Sequence, residues 1–305
     1  MYVIKIINSF RNNVYLMKDE DIERPPAMKV RQGIQDAMTY SLPEKHFSEN
    51  HIDLVDIDIA LNNLGWNFSN YKILNLTDIH LGQWINPEYL DELIDYVNTL
   101  NFDLITLTGD YFSYNLDDYD KSLEKSLKKL KAKDGKYGVL GNHDHWMNAD
   151  RVREIFKNAD IIDLSNDVVT LKKNEDCINL CGVDSYTVCA DNLDKVITKM
   201  PKNIPSILLA HEPDFAQESS QTGLFDLQIS GHSHGGQFII PGVETTPFRG
   251  PNSTKYPVGL YKVGDMLQYT SKGLGTNSFR IRINCKPEIT IITLKTTKRR
   301  KIMIE

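Results

Sequence analysis

The 305-residue chain lacks any run approaching the ~20 apolar residues that a membrane-spanning helix needs. Its first residues, Met1 to Asn13, are broken by Lys5 and Arg11. They show neither the apolar stretch nor the small-residue cleavage site of an export signal. These absences lead us to expect a soluble, cytoplasmic protein. An excess of positive charge is missing too. The 35 Lys and Arg stand against 41 Asp and Glu, a net charge of -6. Broad nucleic-acid binding needs a basic footprint, so none is expected. The one basic run, Lys298-Arg299-Arg300-Lys301, reads as a solvated tail, with weak attraction to an anionic membrane surface as the alternative. Cysteine is scarce. Cys177, Cys181, Cys189 and Cys285 form no C-x-x-C pair, which disfavours a zinc or redox motif; all four read as reduced and structural. There is no internal repeat and no low-complexity linker.

What is present is a 41% hydrophobic composition, enough for one large core or two modest ones. Residues 1–50 are polar, contain Pro25-Pro26, and read as an accessory segment with a short helix near Val30 to Tyr40. A domain spanning 51–305 follows. Its first strand is the near-alternating run Ile52, Leu54, Val55, Ile57, Ile59 and Leu61. Strands and helices then alternate. Strands are expected at Lys72–Leu76, Leu104–Leu107 and Tyr137–Leu140. Asn86, Pro87 and Glu88 signal a helix start, and Leu90, Leu93, Ile94, Val97 and Leu100 form its core stripe. Further helices are expected at Lys121–Lys133 and Asn148–Lys157. The second half is strand-rich, with candidates at 168–171, 177–183, 206–210, 227–230, 260–263 and 289–294 and helices near 192–199 and 214–221. The order predicts one α/β domain with two sheets between helices.

Five motifs carry the chemistry, each after a predicted strand, where loops of α/β sheets converge on one crevice. They are Asp78-Ile79-His80, Gly109-Asp110, Gly141-Asn142-His143-Asp144, His211, and Ser230-Gly231-His232-Ser233-His234-Gly235-Gly236-Gln237. Alone, D-x-H and G-D are weak signals, and a lone His after a strand is more often buried structure. Together they supply two mixed N/O shells without sulfur, which argues against a structural zinc site. One metal can take Asp78, His80, Asp110 and His234. The other can take Asp110, Asn142, His211 and His232. A carboxylate at Asp110 can bridge both. His143 reads as a proton or hydrogen-bond donor to phosphate or the leaving group, and Asp144 as the residue that orients it. His145 reads as a surface or substrate-side residue; His46 and His51 as structural or exposed.

These motifs in this order resemble the calcineurin-like metallophosphoesterase superfamily over residues of about 50 to 295. The resemblance implies a four-layer αββα sandwich, with two mixed sheets flanked by helices, and the same metal ligands. Pro257-Val258-Gly259-Leu260-Tyr261, Ser271-Lys272-Gly273-Leu274-Gly275 and Pro287-Glu288-Ile289 are similar to the YkuE-like branch. That branch includes membrane-associated enzymes acting on UDP-2,3-diacylglucosamine. Arg280 and Arg282 read either as a phosphate-binding fork or as charges on alternate faces of a strand. The span Gly242 to Tyr256, with Phe248 and Arg249, reads as a substrate-gating loop or an ordinary surface loop.

The expectation is a dinuclear phosphohydrolase in which a metal-bridging hydroxide attacks phosphorus. Its cofactors are two divalent ions, manganese first, with iron or zinc as alternatives. Its partner is a phosphorylated small-molecule or lipid-linked substrate, with peripheral membrane contact left open. The rival readings are a noncatalytic scaffold on the same fold and a nuclease of the superfamily.

Overall fold

The computed structural model describes residues 40–41, 44–113, 116–239 and 250–297. The expected helix near Val30 to Tyr40, except for Tyr40 itself, the basic run at 298–301 and most of the glycine- and proline-punctuated span from Gly242 lie outside the described residues; Tyr40 is in a strand.

The elements follow in chain order: β1 (Tyr40–Ser41), β2 (Asp53–Leu61), β3 (Lys72–Leu76), α1 (Pro87–Val97), β4 (Leu104–Thr108), α2 (Leu116–Lys129), β5 (Lys136–Val139), α3 (Asn142–Met147), α4 (Ala149–Asn158), β6 (Ile161–Asp163), β7 (Asp167–Lys173), β8 (Asp176–Gly182), α5 (Leu193–Lys199), β9 (Ser206–Leu209), α6 (Ala216–Gln221), β10 (Leu227–Ser230), β11 (Gly259–Val263), β12 (Met266–Thr270), β13 (Arg282–Ile283) and β14 (Glu288–Thr296). The helix starts are set by side chains. Asn86, Asn148 and Asn192 accept from the backbone N–H groups of Tyr89, Arg151 and Lys195, satisfying donors that a first turn leaves open. The second helix runs over 116–129, not 121–133. Asn98 on the neighbouring helix donates to the Lys129 carbonyl and accepts from the Lys131 amide, which closes the helix there.

Two six-stranded mixed sheets result, in the orders β2-β14-β3-β4-β5-β6 and β11-β12-β10-β9-β8-β7. Strands β3 to β6 run parallel, as do β8, β9, β10 and β12. The C-terminal strand β14 inserts between β2 and β3, parallel to the first and antiparallel to the second.

Alternation along the strands sorts the core into three layers. Ile73 and Leu104, with Ile207 and Leu209 of β9, meet between the sheets. Leu74, Leu76, Ile105 and Leu107 point to the other face and pack under Leu90, Ile94, Leu123, Leu127 and Ile155 of α1, α2 and α4. Leu208 and Cys181 face away on the second sheet, against Val196 of α5 and Ala216 of α6. The architecture is therefore the four-layer αββα sandwich with two mixed sheets.

Candidate metal centre

The first sheet delivers Asp78 and His80 after β3, Asp110 after β4 and Asn142 after β5. The second delivers His211 after β9 and His232 and His234 after β10. Five parallel strand ends thus meet at one edge of the sandwich, where unfilled backbone groups and divergent loops leave a crevice. The side chains of all seven residues are buried.

The backbone is bent hard to bring them together. Asp78, His80, Asp110, His232 and His234 have φ of 52°, 47°, 58°, 67° and 50°, a left-handed region that side chains with a Cβ rarely adopt. Glycine serves where no side chain fits at all. A Cβ on Gly141 would sit 2.2 Å from Asp110 Oδ1, and one on Gly231 would sit 2.2 Å from Asp78 Oδ2.

The donor atoms cluster in two halves around one carboxylate oxygen. Asp110 Oδ2 lies 3.4 Å from His80 Nε2 and 3.2 Å from His211 Nε2. On one side, His80 Nε2 faces His234 Nε2 at 3.1 Å, and Asp78 Oδ1 is 3.4 Å from His234 Nε2. On the other, His211 Nε2 faces His232 Nδ1 at 3.1 Å. Asp78-His80-His234 and Asp110-His211-His232 each present ligand atoms within 4.8 Å of one another. His143 forms a third such group with His80 and Asp110, so its ring reaches the same crevice.

Backbone carbonyls fix which ring nitrogens face inward. A carbonyl only accepts, so His211 Nδ1–H donates to Thr108 O at 2.6 Å and leaves Nε2 with a lone pair. His232 Nε2–H donates to Pro251 O at 2.8 Å and leaves Nδ1 with one. This is the outer-shell arrangement that metal-ligating histidines use. Asn142 Oδ1 is buried and has no hydrogen-bond partner among the described residues, as an oxygen reserved for a cation would be. Lone pairs aimed at each other, two buried carboxylates and an orphaned amide oxygen make a donor set that fits divalent cations.

Left to themselves, Asp110 and His211 form an ion pair, with His211 Nε2 carrying a proton that a bound cation would displace. Burial pushes the Asp110 carboxyl up, but the His211 charge and hydrogen bonds from His211 and His80 outweigh it and hold the carboxyl well below its usual range. His211 is held well above its ordinary value: burial opposes the charge, and Asp110 overcomes that. Burial, then the charges of His80 and Arg282, drive His234 well below its ordinary value. Burial also lowers His143, against the pull of Asp110.

One expectation needs correction, and one choice between two readings is decided. Asp144 accepts from the backbone N–H groups of Asp110, Tyr111 and Gly141 at 2.9, 2.8 and 2.8 Å. Its carboxylate therefore ties the β4 and β5 loops together rather than holding the His143 ring. Burial and the Asp110 charge push it up to about 7, against amides that favour its anion. Nor is Arg282 part of a phosphate fork. Arg280 is exposed, whereas Arg282 is fully buried. Its guanidinium donates to the carbonyls of Lys272 (2.8 Å), Gly273 (3.2 Å) and Gly275, and lies 3.3 Å from His234 Nδ1. Gly275 N in turn donates to Asp78 O. Arg282 thus binds the 272–275 loop to both ligand loops. We expect Arg282→Lys to cost about 2–4 kcal/mol, because an ammonium cannot reach carbonyls arrayed around a planar fork. Urea denaturation checks this; an unchanged midpoint would remove Arg282 from the frame of the site.

Other site residues were not visible in the sequence reading. Glu212 is buried beside His211 and accepts from Ser185 Oγ, Tyr186 N and Thr187 N at 2.6, 3.0 and 3.0 Å, fastening the loop after β8. Its position next to His211 was the only signal. Thr108 O and Pro251 O left none, since a carbonyl is common to every residue. His145 points away from the cluster to Asp184, with Nε2 at 2.6 Å from the carboxylate.

Residues 71–236 match the family model described as Calcineurin-like phosphoesterase. The chain belongs to this family. It is 33% identical over 236 residues to the uncharacterized metallophosphoesterase YkuE of Bacillus subtilis (strain 168), covering 75% of this chain and 81% of that protein. It is 28% identical over 231 residues to the phosphodiesterase YaeI of Escherichia coli (strain K12), covering 75% of this chain and 83% of that protein. Among solved structures, a 5'-nucleotidase precursor from Thermus thermophilus is similar at 14% identity and a TM-score of 0.44, over 67% of this chain and 49% of that one. This calcineurin-like phosphoesterase is a hydrolase of phosphoric esters, with candidate ligands for the divalent metal its family uses. Among the described residues no helix is long and apolar enough to cross a membrane.

Proposed function

We propose that this phosphoesterase is dinuclear and cleaves phosphodiester or pyrophosphate bonds. The observation that carries the reading is Asp110 Oδ2, one oxygen flanked by ring nitrogens from both halves of the cluster. Asp78, His80, Asp110 and His234 would hold one cation, and Asp110, Asn142, His211 and His232 the other. Two such cations, when bound, supply an activated water at neutral pH and neutralise phosphoryl charge.

The protein's own residues do the rest. Asp110 keeps the two halves together, and the carbonyls of Thr108 and Pro251 keep the imidazoles turned inward. His143 stands at the mouth, 5% exposed, its ring 4.8 Å from that of His80. With its basicity lowered by burial, it is a neutral imidazole near pH 7 and donates a hydrogen bond to a phosphoryl or leaving-group oxygen. The name of the E. coli relative supports the diester class. Similarity to YkuE favours the narrower branch; a nucleotide-sugar or lipid-linked substrate is what membership of that branch would imply.

The test is hydrolysis by metal-stripped protein resupplied with manganese, on bis-p-nitrophenyl phosphate, p-nitrophenyl phosphate and a UDP-sugar pyrophosphate. We expect manganese to restore cleavage, with a diester or the pyrophosphate preferred over the monoester. Two bound metals with no cleavage of any of the three would favour the scaffold reading.

A further inference from the structure

We infer that the indole of Trp146 is a subsite for a planar aromatic leaving group. The inference rests on the proposed placement of His143 at the leaving oxygen. Trp146 lies three residues beyond His143 on α3, so the two side chains share a helix face. Their ring centroids are 4.7 Å apart, with the planes tilted by 57°. The imidazole also meets the His80 ring edge-to-face, with centroids 4.8 Å apart. Yet the indole itself is 57% exposed.

That exposure is unusual for the residue with the most apolar surface to bury. Among the described residues, nothing in the packing of α3 calls for it. Asn142, His143 and Asp144 are buried, and Met147 turns into the layer beneath the helices. The remaining neighbours, His145 and Asn148, are polar. Trp146 is thus a single aromatic plate on a polar helix rather than part of an apolar stripe, which is what a lipid surface would need. A lone plate beside a hydrogen-bond donor suits a ligand that is flat and apolar at one end and anionic at the other. An aryl or nucleobase group attached to the phosphoryl centre has that form. Base–aromatic stacking is tolerant of ring identity, so the subsite would select flat groups as a class.

The test compares phenylphosphonate with methylphosphonate, which share the anionic head and differ in the ring. Their dissociation constants are measured by calorimetry on manganese-loaded wild type, Trp146→Ala and Trp146→Phe. We expect the wild type to prefer the phenyl compound by about tenfold, the scale of one stacked ring. Trp146→Ala should abolish that preference, Trp146→Phe should restore most of it, and methylphosphonate should bind all three alike. A phenyl preference surviving in Trp146→Ala, or absent from the wild type, would overturn the subsite. So would an equal loss for both ligands, which marks a distorted site. Hydrolysis of the same three substrates by the same wild-type sample separates the two readings. A phenyl preference with none of the three cleaved favours the scaffold reading and leaves Trp146 as a binding plate for flat anionic ligands.

Discussion

Asp110→Asn is expected to lose at least about 10³-fold in metal-dependent hydrolysis, about 4 kcal/mol of transition-state stabilisation. It should also retain less than one manganese per chain. The geometry makes the change severe although it swaps one atom. Asp110 Oδ1 accepts from the His143 backbone N–H at 3.0 Å, and Oδ2 stands between His80 and His211. An Asn amide has one oxygen. If that oxygen keeps the His143 bond, an NH₂ group faces the two imidazoles and donates into the lone pairs meant for cations. If it turns the other way, the NH₂ clashes with the amide of His143. Either way the charge that draws the cations together is gone. Metal content by mass spectrometry, with circular dichroism to verify folding, reads the outcome. Two tightly bound metals in the variant would show that Asp110 does not bridge.

His143→Ala separates binding from chemistry. Its turnover should fall about 10²–10⁴-fold, the range for a lost proton or hydrogen-bond donor, while both metals stay bound. The backbone N–H of residue 143, which holds Asp110, survives the substitution, so the frame of the site does too. A turnover within about threefold of wild type would remove the ring from the mechanism, since one useful hydrogen bond to a charged group is worth more than that.

The seven ligand candidates were legible because their chemistry is local. Each sits just past the end of an apolar strand, and a strand end followed by Asp, Asn or His can be read without knowing the fold. Helix starts were legible for the same reason, since an Asn cap lies three residues from the amide it binds. What escaped depends on residues distant in sequence. Arg282 reads as a surface charge until the carbonyls of 272–275 are placed around it. Asp144 reads as a partner of the adjacent His143 until the amides of Asp110 and Tyr111 arrive from the neighbouring strand. Strand β12 was missed because Gln268 and Thr270 break its apolar pattern; burial is tolerated because Gln268 Nε2 donates to Thr270 Oγ1 at 3.0 Å. The motif after β5 reads as a loop, yet its residues form the first turn of α3, where the Asp144 carboxylate accepts from the Gly141 N–H at the helix start.

The insertion of β14 between β2 and β3 sets an order on how the molecule comes into being. Asp53 pairs with Glu288 and Leu61 with Thr296, so the first sheet is closed by a strand synthesised long after β2. Until then β2 has no neighbour, and β3 presents an open apolar edge. At about 5–20 residues per second, the wait from β2 to β14 is roughly 10–50 s. Such long-range pairings also form slowly once the chain is free. The nascent protein therefore carries its candidate ligand loops for many seconds before the sheet that aims them is closed, and in that interval an unpaired strand edge is its most vulnerable surface.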